Sequence, residues 1–355
     1  MSDSAREIIV EPQALHRFMV DLMVAGGASE KAATVAADVH LDADLRGVGP
    51  QGFDYLPYTL KSLERGIIDG HAEPEVVRDD GATVLIDGRR GMGQPAGVLA
   101  ADLAIAKARD LGSATVAIRN ATDIYMIGYY AERMARAGVI GMVMTSGPPL
   151  VHPHGGMQKL LSTNPIAFGI PRVAEDPLVF DMATSAVASS RVRQAAYSGT
   201  PLPPGSGLGP DGRPTTDARA IQAGAISPLG GHKGFGLGLV VALLCGPLTG
   251  SGVGLELAGW QAEGETRTQG HLFWATDPAA FVDAAEFRQR TEDYLDLLRN
   301  SPRAPGFDAI RMPGERAAAT RRRQRESGVA VLAKSWDNVR PYAERFGVTP
   351  PAAFR

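Results

Sequence analysis

The strongest constraint in this sequence is a change of hydrophobic period near residue 70. Before it, apolar residues recur at helical spacing: Pro12 opens one run, Ser29 caps a second, and a third spans Leu56 to Leu63. Residues 1 to about 70 are therefore predicted to be helical. After it comes EVVRDDGATVLIDG (75–88), which is two β-branched runs joined by Asp-Asp-Gly, a hairpin signal.

Beyond the hairpin, helical and strand patterns alternate, which predicts an α+β or α/β fold with a mixed sheet beside the helical region. A Pro/Gly-rich stretch at 199–217 has no period and is predicted to be a loop. The C-terminal end is predicted to be helical, with the arginines of 316–326 on a solvated face. The other predicted elements are helix 94–111, strand 113–120, helix 126–137, strands 139–146, 164–171 and 177–185, helix 234–244 and strand 270–276.

Length and charge limit the classes of function. A chain of 355 residues is too long for one core and suits two domains. A net charge of −3 gives no electrostatic reason to expect nucleic acid or an anionic membrane as partner. The opening segment has no apolar core, and the most apolar window, about 12 residues, is short of the roughly 20 that span a bilayer. The single cysteine, Cys245, lies in an apolar helical run and is predicted to be a buried thiol. We therefore expect a soluble cytoplasmic protein.

Two motifs resemble ligand-binding sites, but the sequence favours a plainer interpretation of each. Gly91, Gly93 and Gly97 follow a strand and precede a helix, as in a dinucleotide-binding turn, but a plain glycine turn before a helix explains them better. His152 and His154 flank a proline and could share a metal with a third ligand. No cysteine or acidic partner follows at ligand spacing, so we expect a pocket-lining histidine and no metal.

Several glycine-rich loops carry charged residues. Asp181 ends a strand in FDMATS, Lys233 stands among four glycines in GGHKGFG, and Glu315 follows glycine in MPGER. Glycine lets backbone approach a ligand, and an ammonium group pairs with phosphate. Together these loops indicate an extended anionic ligand.

Eight segments, in this order, resemble the malate/L-lactate dehydrogenase family. They are ADLRG, GMGQ, the RN before GYYAERMA, STNPIAFGIP, FDMATS, GRPTTD, PLGGHKGFGL and MPGE. The resemblance implies a homodimer that binds NAD or NADP. It also implies that the fold is not Rossmann: a helical domain (1–75 with about 285–355) adjoins a mixed-sheet nicotinamide-binding domain (76–284). The glycines at 91–97 are then not a phosphate loop.

The chain departs from the family where the substrate is expected. Family members carry Ser-His-Gly, with an arginine beyond, where this chain has Gln51 and Tyr55. A second family histidine corresponds to Asp123. A neutral amide donates a hydrogen bond but no proton, and a positioned acid is worth about 10²–10⁴-fold. The usual proton donor, its helper histidine and the carboxylate clamp are therefore missing.

We therefore predict an NAD(P)-dependent oxidoreductase acting on an imine, ketone or C=C bond rather than a simple 2-oxo acid. Two alternatives remain open: redox-neutral chemistry such as a lyase, isomerase or cyclase, and a catalytically silent homologue. The predicted catalytic residues are Asp123, Gln51, Tyr55 and Asp181, and the substrate-binding residues are Arg46, Tyr125, His154, Thr163 and Asn164. The predicted cofactor-binding residues are Gly147, Asp181, Met182, Ala183, Lys233, Gly234, Gly314 and Glu315.

Overall fold

The computed structural model describes residues 6–257 and 268–354, which form eleven α-helices and twelve β-strands. The helices are α1 (Pro12–Ala25), α2 (Glu30–Leu45), α3 (Leu56–Glu64), α4 (Gly93–Leu111), α5 (Gly128–Arg136), α6 (Ser189–Ser198), α7 (Ala218–Ala223), α8 (His232–Cys245), α9 (Ala284–Arg299), α10 (Glu315–Ser327) and α11 (Ala333–Phe346). The strands are β1 (Glu7–Val10), β2 (Glu75–Asp80), β3 (Thr83–Asp87), β4 (Ser113–Ala121), β5 (Ile140–Thr145), β6 (Ile166–Ile170), β7 (Leu178–Met182), β8 (Gly207–Leu208), β9 (Pro214–Thr215), β10 (Ala225–Ile226), β11 (Gln269–Thr276) and β12 (Val329–Leu332).

The central sheet has seven strands in the order β2-β3-β4-β11-β5-β6-β7. β3 and β4 run parallel across the α4 connection, and the other neighbours are antiparallel. One registered row runs Val84, Val116, Phe273, Val143, Ala167, and each of these side chains is buried against α4 and α5. The prediction of an α+β fold with a mixed, non-Rossmann sheet is confirmed.

The glycines before α4 serve packing. A Cβ at Gly97 would lie 2.7 Å from the ring of Tyr130, and one at Gly93 would collide with the carbonyl oxygens of Thr122 and Asp123. Glycine at these two positions lets the first turn of α4 approach α5 and the 122–123 loop. The turn is therefore a close-packing device, as the plainer interpretation predicted.

A second core joins both ends of the described chain. It is built from α1, α2, α3, α11 and the pair β1–β12, with Trp336 stacked on Phe354 at 4.5 Å between ring centroids. The prediction that residues 1 to about 70 are all helical is wrong at β1, whose antiparallel partner is β12. A four-residue strand is too short to show a period, and its partner lies more than 300 residues away. The division into a helical domain (1–75 with about 285–355) and a mixed-sheet domain (76–284) stays a prediction.

Two C-terminal expectations need correction. The arginine cluster in α10 is not uniformly solvated, because Arg321 is buried and pairs with Glu132, Asp42 and Asp176. The stretch predicted as an unstructured loop contains β8 and β9, which form a small three-stranded sheet with β10. Strands of two residues give no readable alternation, so sequence pattern alone does not find them.

The apolar run around residues 234–244 is the helix α8. Cys245 ends it and is fully buried, which raises the pKa of its thiol to about 12 and confirms the prediction of a buried thiol. No helix among the described residues combines the length and apolar character needed to cross a membrane.

Candidate active site

The loop that carries Gln51 is wrapped around a buried carboxyl group. Two short 3₁₀ turns, Gly49–Gln51 and Phe53–Tyr55, follow α2, and the amide of Phe53 donates to Asp44 at 2.8 Å. A Cβ at Gly52 would collide with the same carboxyl group. Burial raises the pKa of Asp44 well above its usual value. Asp44 therefore holds Gln51 and Tyr55 in fixed positions.

His40 is hydrogen-bonded to the backbone of Gln51. Its Nδ1–H donates to the Gln51 carbonyl at 2.9 Å, and its ring centroid lies 4.6 Å from that of Tyr125. Burial lowers the pKa of His40 to about 4, so the ring is neutral near pH 7. Within the described ranges, His40 Nε2 and Gln51 Oε1 are buried without a hydrogen-bond partner. We did not predict His40 from the sequence, although it continues the buried positions of α2 at helical spacing (Ala33, Ala36, Ala37).

Three tyrosines form one wall of this region. The ring centroid of Tyr55 lies 4.7 Å from that of Tyr58 and 4.7 Å from that of Tyr125, the latter edge-on. The hydroxyls of Tyr125 and Thr59 share a hydrogen bond of 2.8 Å. Tyr125 has φ +60°, a left-handed conformation that is strained for a bulky residue. Such strain at a side chain held on two sides is typical of functional sites.

Asp123 lies next to this wall. Its Oδ1 accepts from the amide of Tyr125 at 2.8 Å, which closes a tight turn. Burial raises the pKa of Asp123 above its usual value, although the amides of Ile124 and Tyr125 lower it in part. No helix N-terminus adjoins Asp123, because α5 begins only at Gly128 with Ile127 before it.

The carboxylate at the start of α5 belongs to Asp181. Its Oδ2 accepts from the amide of Gly128 at 2.8 Å. Asp181 as a whole residue is exposed. Desolvation nevertheless raises the pKa of its carboxyl group to about 6, and the hydrogen bond from Gly128 and the charge of Arg46 lower this pKa in part. The residue is therefore partly accessible to water, although protein atoms surround its carboxyl group. Near neutral pH it is poised to exchange protons.

Arg46 is held in a buried network of ion pairs. Its guanidinium contacts Asp42 at 2.5 Å and Glu132 at 2.6 Å, and its side chain is 7% exposed. Arg321 joins the same two carboxylates at 3.5 and 2.8 Å. Our expectation that Arg46 binds substrate directly needs correction, because carboxylates of this chain already engage its donors.

Thr163 and Asn164 lie beside the carboxyl end of β5. The Thr163 carbonyl accepts from Thr184 at 2.8 Å, and Asn164 Nδ2 donates to the Gly238 carbonyl at 2.8 Å. Asn164 Oδ1 and Ser146 Oγ are buried with no partner among the described residues. A Cβ at Gly147 would lie 3.0 Å from Ser162 Oγ. Of the predicted residues, Met182 ends β7 and pairs with Ile166, and Ala183 follows the strand.

The two glycine-rich loops differ in their contacts. Lys233 is exposed in the first turn of α8, whereas Gly234 packs against the backbone of Leu229. Gly314 (φ +88°) lies against β7, where a Cβ would be 2.9 Å from the Val179 carbonyl. Glu315 accepts from the Met312 amide at 3.0 Å and pairs with Arg299 at 2.7 Å. Gly314 and Glu315 therefore fasten their turn to the rest of the fold.

The two histidines of HPHGG have different surroundings. His152 is buried, with Nδ1–H donating to the Pro153 carbonyl at 2.8 Å and Nε2 hydrogen-bonded to Ser227 Oγ at 3.0 Å. His154 is exposed beside the start of α8, with its ring centroid 6.0 Å from that of His232. In residues 6–257 and 268–354, no group of three or more His, Cys, Asp or Glu residues has an arrangement that could hold a metal ion.

Comparison with known proteins relates this geometry to a family. The malate/L-lactate dehydrogenase model matches residues 10–340. An L-sulfolactate dehydrogenase of Methanocaldococcus jannaschii is 35% identical over 87% of this chain and 89% of that protein. A Δ1-pyrroline-2-carboxylate/Δ1-piperideine-2-carboxylate reductase of Pseudomonas putida is 37% identical, covering 86% of this chain and 88% of that protein.

A solved structure agrees in fold over nearly the whole chain. The malate dehydrogenase from Entamoeba histolytica superposes with a TM-score of 0.93 at 26% identity, covering 97% of this chain and 99% of that chain. The mixed sheet of this chain and the dehydrogenase and reductase names of its relatives point the same way as the motifs in the sequence. The chain therefore belongs to the malate/L-lactate dehydrogenase family of oxidoreductases.

Proposed function

We propose that this enzyme uses NAD(P)H to reduce the C=N bond of a cyclic imine rather than the carbonyl of a simple 2-oxo acid. The observation that carries the proposal is the chemistry of position 51. Gln51 has no ionisable proton, and the histidine that supports it, His40, is buried and neutral. Carbonyl reduction needs a proton at oxygen as hydride arrives, and neither Gln51 nor the neutral ring of His40 is an acid suited to supply it.

An iminium ion avoids that need, because its nitrogen already carries a proton. A bound reduced nicotinamide supplies a hydride, so C=N–H⁺ becomes a neutral secondary amine with no further proton added. Asp123 accepts a hydrogen bond from the substrate N–H, and an approaching cation lowers the pKa of this carboxyl group. The rings of Tyr55 and Tyr125 contact the flat face of the substrate. Asp181, which is exposed to water, exchanges protons with the solvent.

Contacts of the predicted cofactor residues support a nicotinamide site. Asn164 Oδ1 and Ser146 Oγ, beside Gly147, are buried without a hydrogen-bond partner among the described residues. Because buried polar atoms require partners, these two atoms are suited to hydrogen-bond with an amide group. Exposed Lys233 suits a phosphate. Gly234, Gly314 and Glu315 shape the loops around such a ligand. Asp181 and Met182 end the neighbouring strand β7, and Ala183 follows it. The choice between NAD and NADP stays open.

The remaining predicted residues fit this proposal in part. Thr163 and Asn164 adjoin the cofactor side, and His154 lies on the same side near α8. Arg46 acts through its charge on Asp181 rather than by binding substrate.

A homodimer is supported by an apolar patch on α8 and the residues after it. Leu239, Val240, Leu243 and Leu248 are each at least 40% exposed in the single chain. Contiguous apolar surface of this kind marks an interaction surface in soluble enzymes. We propose that a second copy of the chain covers it.

Oxidation of NADPH and NADH with a matched substrate panel tests the function. We expect kcat/KM for Δ1-piperideine-2-carboxylate to exceed those for pyruvate and oxaloacetate by at least about 100-fold. The measurement is the loss of reduced-nicotinamide absorbance, with enzyme-free imine as the control. A 2-oxo acid turned over at about 10⁴ M⁻¹s⁻¹ or better, with no advantage for the imine, would contradict the proposal.

Replacing Lys233 with alanine should weaken cofactor binding without unfolding the enzyme. The ammonium group is exposed and among glycines, so packing does not depend on it. A charged hydrogen bond to phosphate is worth about 1.5–3 kcal/mol, which corresponds to a Kd higher by roughly 10-fold or more. Fluorescence titration with NADH and NADPH measures this, and Lys334→Ala, at another exposed lysine, is the control. Equal affinities in both variants and the parent would identify Lys233 as a simple surface charge.

A further inference from the structure

Arg193 extends from α6 into the tyrosine wall. Its guanidinium carbon lies 5.6 Å from the ring centroid of Tyr55 and 5.3 Å from that of Tyr58. Burial and the charge of Asp123 raise the pKa of the Tyr55 hydroxyl, and Arg193 lowers it in part. The two ring contacts hold the guanidinium group of Arg193 against the wall.

The helix that carries Arg193 is anchored away from the wall. Val192, Ala195 and Ala196 are the buried face of α6, and they pack in a small core with residues of α7. Tyr55 and Tyr58 belong to the region of the Gln51 loop and α3. Arg193 therefore brings a positive charge to the Gln51 region from an independently packed element.

That charge has no carboxylate partner in the part of the chain that the structure describes. None of the ion pairs formed by residues 6–257 and 268–354 includes Arg193, whereas Arg46 contacts two carboxylates. A guanidinium group that packs on aromatic rings contacts them with its flat faces. The N–H groups at its edge then remain available to bind planar anions. A guanidinium group has five N–H donors, and ring contacts leave them available for a ligand.

We propose that Arg193 binds the anionic group of the substrate and sets its specificity. The inference deepens the proposed function and rests on it for the identity of the substrate. The sequence lacks an arginine at position 55, and Arg193 replaces that charge from a different element. Arg193 lies over the ring of Tyr55, which contacts Tyr125, and Asp123 accepts from the Tyr125 amide. A positive and a negative group therefore adjoin the same tyrosine wall, so the site suits a dipolar molecule. Its carboxylate binds Arg193, and its iminium N–H faces Asp123.

Binding of pyrrole-2-carboxylate, a flat anion that the enzyme cannot reduce, tests the inference without turnover. Calorimetry with the cofactor-loaded enzyme should show a Kd about 10-fold to 100-fold higher in Arg193→Gln, with partial recovery in Arg193→Lys. Arg191→Gln is the matched control, since residues two apart on a helix do not share a face. Unchanged affinity in Arg193→Gln, or equal loss in Arg191→Gln, would overturn the inference.

Kinetics with a substrate pair separate this inference from the proposed function. Arg193→Gln should raise KM for Δ1-piperideine-2-carboxylate with little change in kcat, and should leave Δ1-piperideine, which lacks the carboxylate, unaffected. Imine turnover that is insensitive to Arg193→Gln would overturn the role of Arg193 and leave the reaction standing. Anion binding that depends on Arg193, without turnover of either imine, would support Arg193 and overturn the reaction.

Discussion

Replacing Asp123 with asparagine should lower turnover by at least about 100-fold and leave cofactor affinity unchanged. The amide oxygen of asparagine can still accept from the Tyr125 amide, so the turn is preserved. What the variant loses is the negative charge that pairs with the cationic substrate. Steady-state kinetics with the imine, together with NADPH titration, measures the two effects separately.

Asp54→Asn is the matched control for this prediction. Asp54 lies in the same loop as Gln51, but its carboxylate accepts from Ser335 Oγ at 2.9 Å, toward α11. We expect its turnover to stay within about threefold of the parent, since a hydrogen bond to a neutral group is worth about 1 kcal/mol or less. If Asp123→Asn retains parental activity, Asp123 only closes its turn. Proton transfer would then fall to Asp181, Tyr55, Tyr125 or His154.

Replacing Glu132 with alanine should lower the free energy of unfolding by about 3–5 kcal/mol. Its side chain is 6% exposed and pairs with Arg46, Arg136 and Arg321 at 2.6, 2.6 and 2.8 Å. The neighbouring guanidinium groups lower the pKa of Glu132, so it is ionised in the folded enzyme. Its removal leaves Arg46 and Arg321 buried with an excess of positive charge. Urea unfolding measures the change.

Asp102→Ala serves as the control for the buried network. Asp102 pairs with Arg133 on the same helix as Glu132, at 2.6 Å, but both side chains are more than 40% exposed. Water screens such a pair, so we expect a loss of less than about 1 kcal/mol. Similar losses of stability in the two variants would refute the idea that burial of the network gives Glu132 its importance.

Much of the sheet domain is predictable from the sequence. The hairpin of β2 and β3, helix α4 and strands β4 and β5 were predicted within about two residues, since their periods extend over many neighbouring positions. Helices α6, α7 and α9 were not predicted individually. Without α6, no local pattern indicated that Arg193 would reach the tyrosine wall.

The sequence by itself determined the family, the order of the main elements and the replacement of the expected histidine by Gln51, because motifs and periods are properties of neighbouring residues. Only the tertiary structure decided which charges remain free. Arg46 pairs with Asp42 one turn earlier, but Glu132 reaches it from α5, and Arg321 reaches both carboxylates from α10. Arg193 keeps its donors, and desolvation raises the pKa of Asp181. Desolvation and ion pairing depend on the atoms that surround a group in space, and most of those atoms belong to residues distant in the chain.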